Sequence, residues 1–162
     1  MRPFALILAA TVGLSGCATT AGVFRAGDPK SPIATSVTVP PGYATLYVSG
    51  LVPPVINEAA PAGSTARYGD TKTQTLGVLQ KIEAALKAQG YGFGDVVMMR
   101  VYLVGDPAKD GRMDFAGMME AYKTAFGTPE QPNKPARVTV QVAALAGPGM
   151  LAEIEVQAVK KP

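Results

Sequence analysis

The chain has no histidine and only one cysteine, Cys17, among its 162 residues. The lack of histidine excludes His-based nucleophile relays, imidazole metal ligands and the one side chain that titrates unperturbed near neutral pH. A single cysteine permits neither an intrachain disulfide nor a cysteine metal cage. Charge is sparse as well: 17% of residues are Asp, Glu, Lys or Arg, the net charge is +3, and the two signs are interspersed. No run of Lys and Arg resembles a stripe that tracks phosphates, so nucleic acid is not an expected partner. Chemistry must therefore come from carboxylates, Arg, Lys, Tyr, Ser, Thr, backbone groups or bound water. What is present is apolar: hydrophobic residues make up 48%, which favours a folded chain, and the length suits one domain with its own core.

Part of that apolar content lies at the start. A lone cation, Arg2, is followed by an apolar stretch from Phe4 to Leu14 and then by Leu14-Ser15-Gly16-Cys17. The stretch is too short for a stable bilayer-spanning helix but suits the core of a secretory signal. The last four residues match the lipobox of bacterial lipoproteins, which implies cleavage before Cys17 and acylation of that residue. Acyl chains gain about 0.8 kcal/mol per buried methylene, enough to tether a domain to a membrane surface. The alternative, a buried helix with a core cysteine, would put a core helix directly before a polar, Gly- and Pro-containing stretch. The expected organisation is a signal peptide at 1–16, a tether at 17–31 and a folded domain at 32–162. The expected location is exported and lipid-anchored at the periplasmic face of the envelope. Ala18, in place of a retaining Asp, favours the outer membrane over the inner.

From Ile33 onward, extended and helical periods alternate. Thr35 to Val39 and Ala44 to Ser49, separated by Pro40-Pro41-Gly42, predict a hairpin. Pro53 to Gly69, rich in Pro, Gly and small residues, predicts an exposed excursion. Asp70 stands where a helix N-cap belongs. Leu76, Leu79, Ile82 or Glu83, and Leu86 then recur at helical spacing until Gly90 stops the helix. Asp95 to Val104 predicts a buried strand. Phe115, Met118, Met119, Tyr122 and Phe126 mark the apolar stripe of a second helix, a core stripe rather than a cofactor box. Arg137 to Leu145 and Leu151 to Val159, joined through Gly147-Pro148-Gly149, predict a closing hairpin. This is an α+β order.

Four local strings in this order resemble the reactive-intermediate (imine) deaminases, the YjgF-like or Rid family. They are Tyr47-Val48-Ser49-Gly50, Gly69-Asp70 through Gln74 into the helix, Gly94-Asp95-Val96-Val97, and Pro135-Ala136-Arg137 with Glu153-Ile154-Glu155. The match runs from about Ile33 to Val159. It implies a chorismate-mutase-like α+β fold, with a mixed sheet carrying two helices on one face. It also implies homotrimers with clefts between subunits, an assembly that hides the second sheet face.

The resemblance also implies a site. Arg137 matches the family's carboxylate-binding arginine, whose planar fork can grip a carboxylate through two parallel hydrogen bonds. Glu153 matches the functional glutamate, which would position or activate water for attack on an imine carbon. Glu155 follows on the same strand face. Ser49 and Gly50 match the cleft-lining Ser-Gly pair, and the position of a cleft tyrosine falls at about Thr35. No metal or organic cofactor is implied. Without the resemblance, Arg137 reads as a surface arginine paired with an acid, Glu153 as a structural strand carboxylate and Ser49 as a turn residue. Two departures alter one cleft wall: Thr35 replaces a tyrosine, and Leu51 stands where a glutamine is common. Arg67 or Tyr68 from the excursion could reach the rim, and Tyr43 or Tyr47 could replace the phenol. The expected function is hydrolytic deamination of small 2-imino acids to 2-oxo acids and ammonia. The alternative is a module that binds small carboxylates at the envelope without turning them over. Ribonuclease activity, attached to some relatives, finds no histidine and no basic, aromatic groove here.

Overall fold

A computed structural model describes residues 22–162, so the predicted signal peptide, Cys17 and the first part of the tether lie outside the described residues. The ordered elements are β1 (Phe24–Ala26), β2 (Ser36–Thr38), β3 (Ala44–Leu51), α1 (Thr71–Ala88), β4 (Val96–Val104), α2 (Phe115–Tyr122), β5 (Ala136–Val142) and β6 (Ala152–Lys160). A four-stranded mixed sheet in the order β3-β6-β4-β5 carries both helices on one face. Only β4 and β5 run parallel, joined through α2, since a parallel pair needs a crossover.

Helix α1 begins where the Asp70 carboxylate accepts the Thr73 amide at 2.8 Å, satisfying one of the free donors of the first turn. It ends at Gly90, whose φ of 76° lets the Tyr91 and Gly90 amides reach back to the Leu86 and Lys87 carbonyls. Its inner face buries Val78, Leu79, Ile82 and Leu86 against Met99, Val101 and Leu103 of β4 and Ile154 and Val156 of β6. Each such burial is worth about 1.5–3 kcal/mol. Among the described residues, the core is drawn from residues 33–159. Buried Gln74 is fully bonded: its Nε2 donates to the Gly69 and Gly149 carbonyls, and its Oε1 accepts the Leu151 amide at 2.6 Å. One side chain thereby locks the helix to the entry of β6, two residues before Glu153.

Both predicted hairpins are corrected. β2 does not pair with β3 but with β1, residue 25 opposite residue 37. Residues 24–26, within the segment expected as tether, thus carry a strand. β5 and β6 are not neighbours either, because β4 lies between them and pairs with both. The 53–69 excursion is closed on itself, with the Ile56 and Asn57 amides bonded to the Arg67 carbonyl and the Arg67 guanidinium donating to the Glu58 and Ala60 carbonyls. The Arg67 Nη1 is bonded within this loop and Tyr68 is buried.

Candidate functional site

Strand β5 reads Ala136-Arg137-Val138-Thr139-Val140-Gln141-Val142, and its alternation is inverted relative to a simple amphipathic strand. Arg137, Thr139 and Gln141 register with Met99, Val101 and Leu103, which are core residues, so the polar set points to the helix side. Val138 and Val140 register with Arg100 and Tyr102 on the opposite face, where each valine is 40% exposed.

On the helix side the Arg137 guanidinium lies over the Tyr122 ring, 4.4 Å from its centroid, and 5.9 Å from that of Phe115. This is cation–π range. Tyr122 is held in place by its hydroxyl, which donates to the Pro32 carbonyl at 2.9 Å. Arg137 Nη1 is buried with no hydrogen-bond partner, and so is the Thr139 Oγ1 two residues along the same face. Among the described residues, Arg137 forms no ion pair, which removes the reading of a surface arginine matched to an acid. Burial lowers the Arg137 pKa, partly offset by Tyr122, and pushes the Tyr122 phenol up to about 12. A guanidinium remains charged throughout the working range. Thr35 is exposed, with its side chain against Gly27 beside β1; an isolated parallel bridge joins its neighbour Ala34 to Ala136.

Ser49, Gly50 and Glu153 gather elsewhere. Val48 pairs with Val156 and Leu51 with Ile154, so one extra residue bulges from β3 at Ser49-Gly50. Bulges of this kind re-aim side chains next to functional sites. Ser49 is exposed. A Cβ at position 50 would run into the Glu153 Oε1, so any larger residue here must displace that carboxylate. Glu153 registers with Tyr102 and shares the open sheet face with Glu155. Glu155 is engaged, accepting from Arg100 at 2.8 Å and from the Tyr102 hydroxyl at 3.4 Å. Glu153 forms no ion pair among the described residues. Leu51 turns to the core, and the 71% exposed Tyr47 stands on the open face. Neither Tyr47 nor Tyr43, which lines a recess beside Arg25 and Lys160, belongs to the Arg137 group.

The structure thus separates Arg137 from the Ser49, Gly50 and Glu153 group, and Thr35 stands apart beside β1. Arg137 and Glu153 lie on opposite faces of one sheet. A recess of about 390 Å³ between α1 and the segment after α2 is lined by Leu76, Leu79, Phe93 and Glu83 and touches neither group. The orphaned donors of Arg137 and Thr139 mark chemistry better than that open recess does, because a buried polar group without a partner is costly unless something supplies one. Among the described residues no cluster of His, Cys, Asp or Glu could hold a metal ion.

Set against known proteins, residues 32–160 match the model of the endoribonuclease L-PSP family. The chain belongs to this family, also called YjgF or Rid. A RutC family protein of Pyrococcus horikoshii is 40% identical over 116 residues, covering 72% of this chain and 79% of its own length. YyfB of Yersinia pestis, a Rid family protein of unknown function, superposes with a TM-score of 0.59 at 25% identity, over 80% of this chain and 87% of its own. E. coli TdcF with bound serine superposes with a TM-score of 0.55 at 28% identity, over 83% of this chain and 96% of its own.

The resemblance carried Arg137, Glu153, Ser49, Gly50 and Thr35, but not the partners of Arg137. The helical spacing reads Tyr122 as core, and it is core; its second role as the platform under the guanidinium has no signal in helical spacing. Thr139 does have a sequence signal, its place two residues after Arg137 on a strand.

Proposed function

We propose that the chain is a 2-imino acid deaminase whose Arg137 binds the substrate carboxylate. The buried, unpartnered Nη1 of Arg137 carries this reading: it is a charged donor held in place by an aromatic platform and lacking an acceptor. A substrate carboxylate meets that need with a charge-assisted bond, and the Thr139 hydroxyl offers a second polar contact beside it. The serine bound to E. coli TdcF, a small molecule with a carboxylate, supports the size and charge of such a ligand. Water then adds to the protonated imine carbon as Glu153 takes its proton. The resulting carbinolamine expels ammonia and leaves a 2-oxo acid. Because Arg137 and Glu153 occupy opposite faces of one sheet, the reaction needs Arg137 of one protomer beside Glu153 of another. A homotrimer meets that need and covers Val138, Val140 and Tyr47, which are exposed in a single chain.

The non-catalytic alternative draws support from Thr35 and from Leu51, which faces the core instead of the cleft. The two readings separate in one assay. Ammonia and 2-oxo acid release are followed with freshly generated imino acids and purified 18–162 chain. Turnover lost in Arg137→Ala while the oligomer persists supports the enzyme. Carboxylate binding without turnover supports the alternative, and equal activity in wild type and Arg137→Ala refutes both roles given to Arg137. The lipid anchor at Cys17 and export to the envelope belong to the same proposal. They are checked by the mass of the mature protein in membrane fractions.

A further inference from the structure

Strand β5 is an edge of the sheet, and three polar residues share its helix side, Arg137, Thr139 and Gln141. Gln141 is engaged: its Oε1 accepts the Met113 amide at 2.8 Å and its Nε2 donates to the Gly111 carbonyl at 3.0 Å. The other two carry buried atoms without a partner, Arg137 Nη1 and Thr139 Oγ1. The remaining buried orphans among the described residues, Arg25 Nε and Thr71 Oγ1, belong to β1 and to the first turn of α1. Only on β5 do two such atoms share one face, on residues whose Cα atoms stand about 7 Å apart. The hydroxyls of Thr75 and Thr124 donate back to the Thr71 and Ala121 carbonyls of the preceding helical turn. An extended strand brings no such carbonyl to Thr139.

The two orphans differ in kind. A guanidinium only donates, whereas a hydroxyl has one donor and two acceptor sites. A protonated 2-imino acid needs both, because its carboxylate accepts and its imine nitrogen donates. The carboxylate and the imine nitrogen sit on adjacent carbons, so anchoring the first at Arg137 keeps the second close to the same strand face. Resting on the deaminase reading above, we propose that Thr139 holds the imine nitrogen of the substrate. Its Oγ1 accepts the N–H of the protonated imine, and its O–H donates to the same nitrogen once that nitrogen regains a lone pair. In the addition step a bond forms between the water oxygen and the imine carbon, the C=N pair moves onto nitrogen, and a water proton goes to Glu153 of a second copy. Glu153 returns that proton to the nitrogen and the C–N pair leaves with ammonia. The carbinolamine hydroxyl proton then passes to Glu153 and on to the ammonia, which departs as ammonium. Thr139 transfers no proton itself; it keeps the nitrogen oriented while the carbon changes from planar to tetrahedral.

The test compares Thr139→Val, which keeps the shape and removes the hydroxyl, with Thr139→Ser, which keeps the hydroxyl. The substrate is the 2-imino acid generated in place from alanine by an amino-acid oxidase. Propionate, which has the carboxylate and no nitrogen, is the binding probe. Thr139→Val should lose about 10- to 100-fold in kcat, the worth of one hydrogen bond to a charged group, with a smaller change in KM. Its propionate affinity should match wild type. Its thermal midpoint should equal or exceed that of wild type, because the free protein loses no bond when an unpaired buried hydroxyl is removed. The alkaline limb of its rate should move to lower pH, since an acceptor beside the protonated imine favours the charged form. Thr139→Ser should retain most of the wild-type kcat. Equal kcat in wild type and Thr139→Val, a loss that serine also suffers, or propionate affinity that falls along with kcat overturns the assignment and leaves the deaminase reading standing. Absence of turnover in the wild type overturns that reading and this assignment together.

Discussion

The two halves of the candidate site differ in every physical respect. Arg137 lies between the sheet edge and α2, half-buried, stacked on Tyr122 and short of one acceptor. Glu153 lies on the open face of a central strand, against a bulge in its neighbour, with its surroundings already neutralised by the Arg100–Glu155 pair. The first half is built to hold something charged, and the second to leave a carboxylate free. The proposed function assigns binding and chemistry to these opposite faces, and on that proposal a second copy reunites them.

Kinetics can break this division. Glu153→Gln should lower kcat on the order of a hundred- to ten-thousand-fold with KM nearly unchanged, since a base that acts on water contributes in the transition state. Arg137→Ala should lower kcat/KM by more than about 100-fold, with a large part in KM, because it removes a desolvated charged contact to the substrate. Identical signatures for the two variants would contradict the division. Next in size, Gly50→Ala pushes a methyl into the Glu153 carboxylate. It should cost about 1–3 kcal/mol in denaturant unfolding and displace the carboxylate, so that kcat falls while carboxylate binding persists.

The smallest effect sharpens the Arg137 side. Tyr122→Phe keeps the ring under the guanidinium but removes the bond to the Pro32 carbonyl, for a loss of about 0.5–1.5 kcal/mol and little change in activity. It should also alter alkaline behaviour. The folded pKa of Tyr122, about 12, lies above its ordinary value of 10.0 because burial disfavours the phenolate. The unfolded chain therefore ionises first, and wild-type stability from this group is intact below pH 10 and lost as pH rises from there toward 12. The phenylalanine variant should show a shallower decline in that window.

Much of the fold was legible because local chemistry decided it. Asp70 and Gly90 bracket α1 as cap and stop, and the stripe from Leu79 to Leu86 faces the core. Strand neighbours were not legible, because adjacency in sequence is not adjacency in space here. The three residues of β1 carry no alternation long enough to read, and nothing local in β6 announces that it inserts between β3 and β4. Arg137 and Glu153 were found by resemblance, but their separation onto opposite faces follows from the parallel register Met99 to Arg137 and the antiparallel register Tyr102 to Glu153. Neither register is set by short-range sequence. The inverted strand Arg137 to Val142, with valines outward, carried a hint of a face waiting for a second copy.

The most direct measurement mixes two inactive chains, Arg137→Ala and Glu153→Gln, by co-expression or by refolding together. If each site takes its arginine from one protomer and its glutamate from the next, random assembly restores both groups at roughly one site in four around a cyclic oligomer. Deaminase activity should return to about a quarter of wild type. Activity no higher than that of either variant alone would contradict a site shared between protomers.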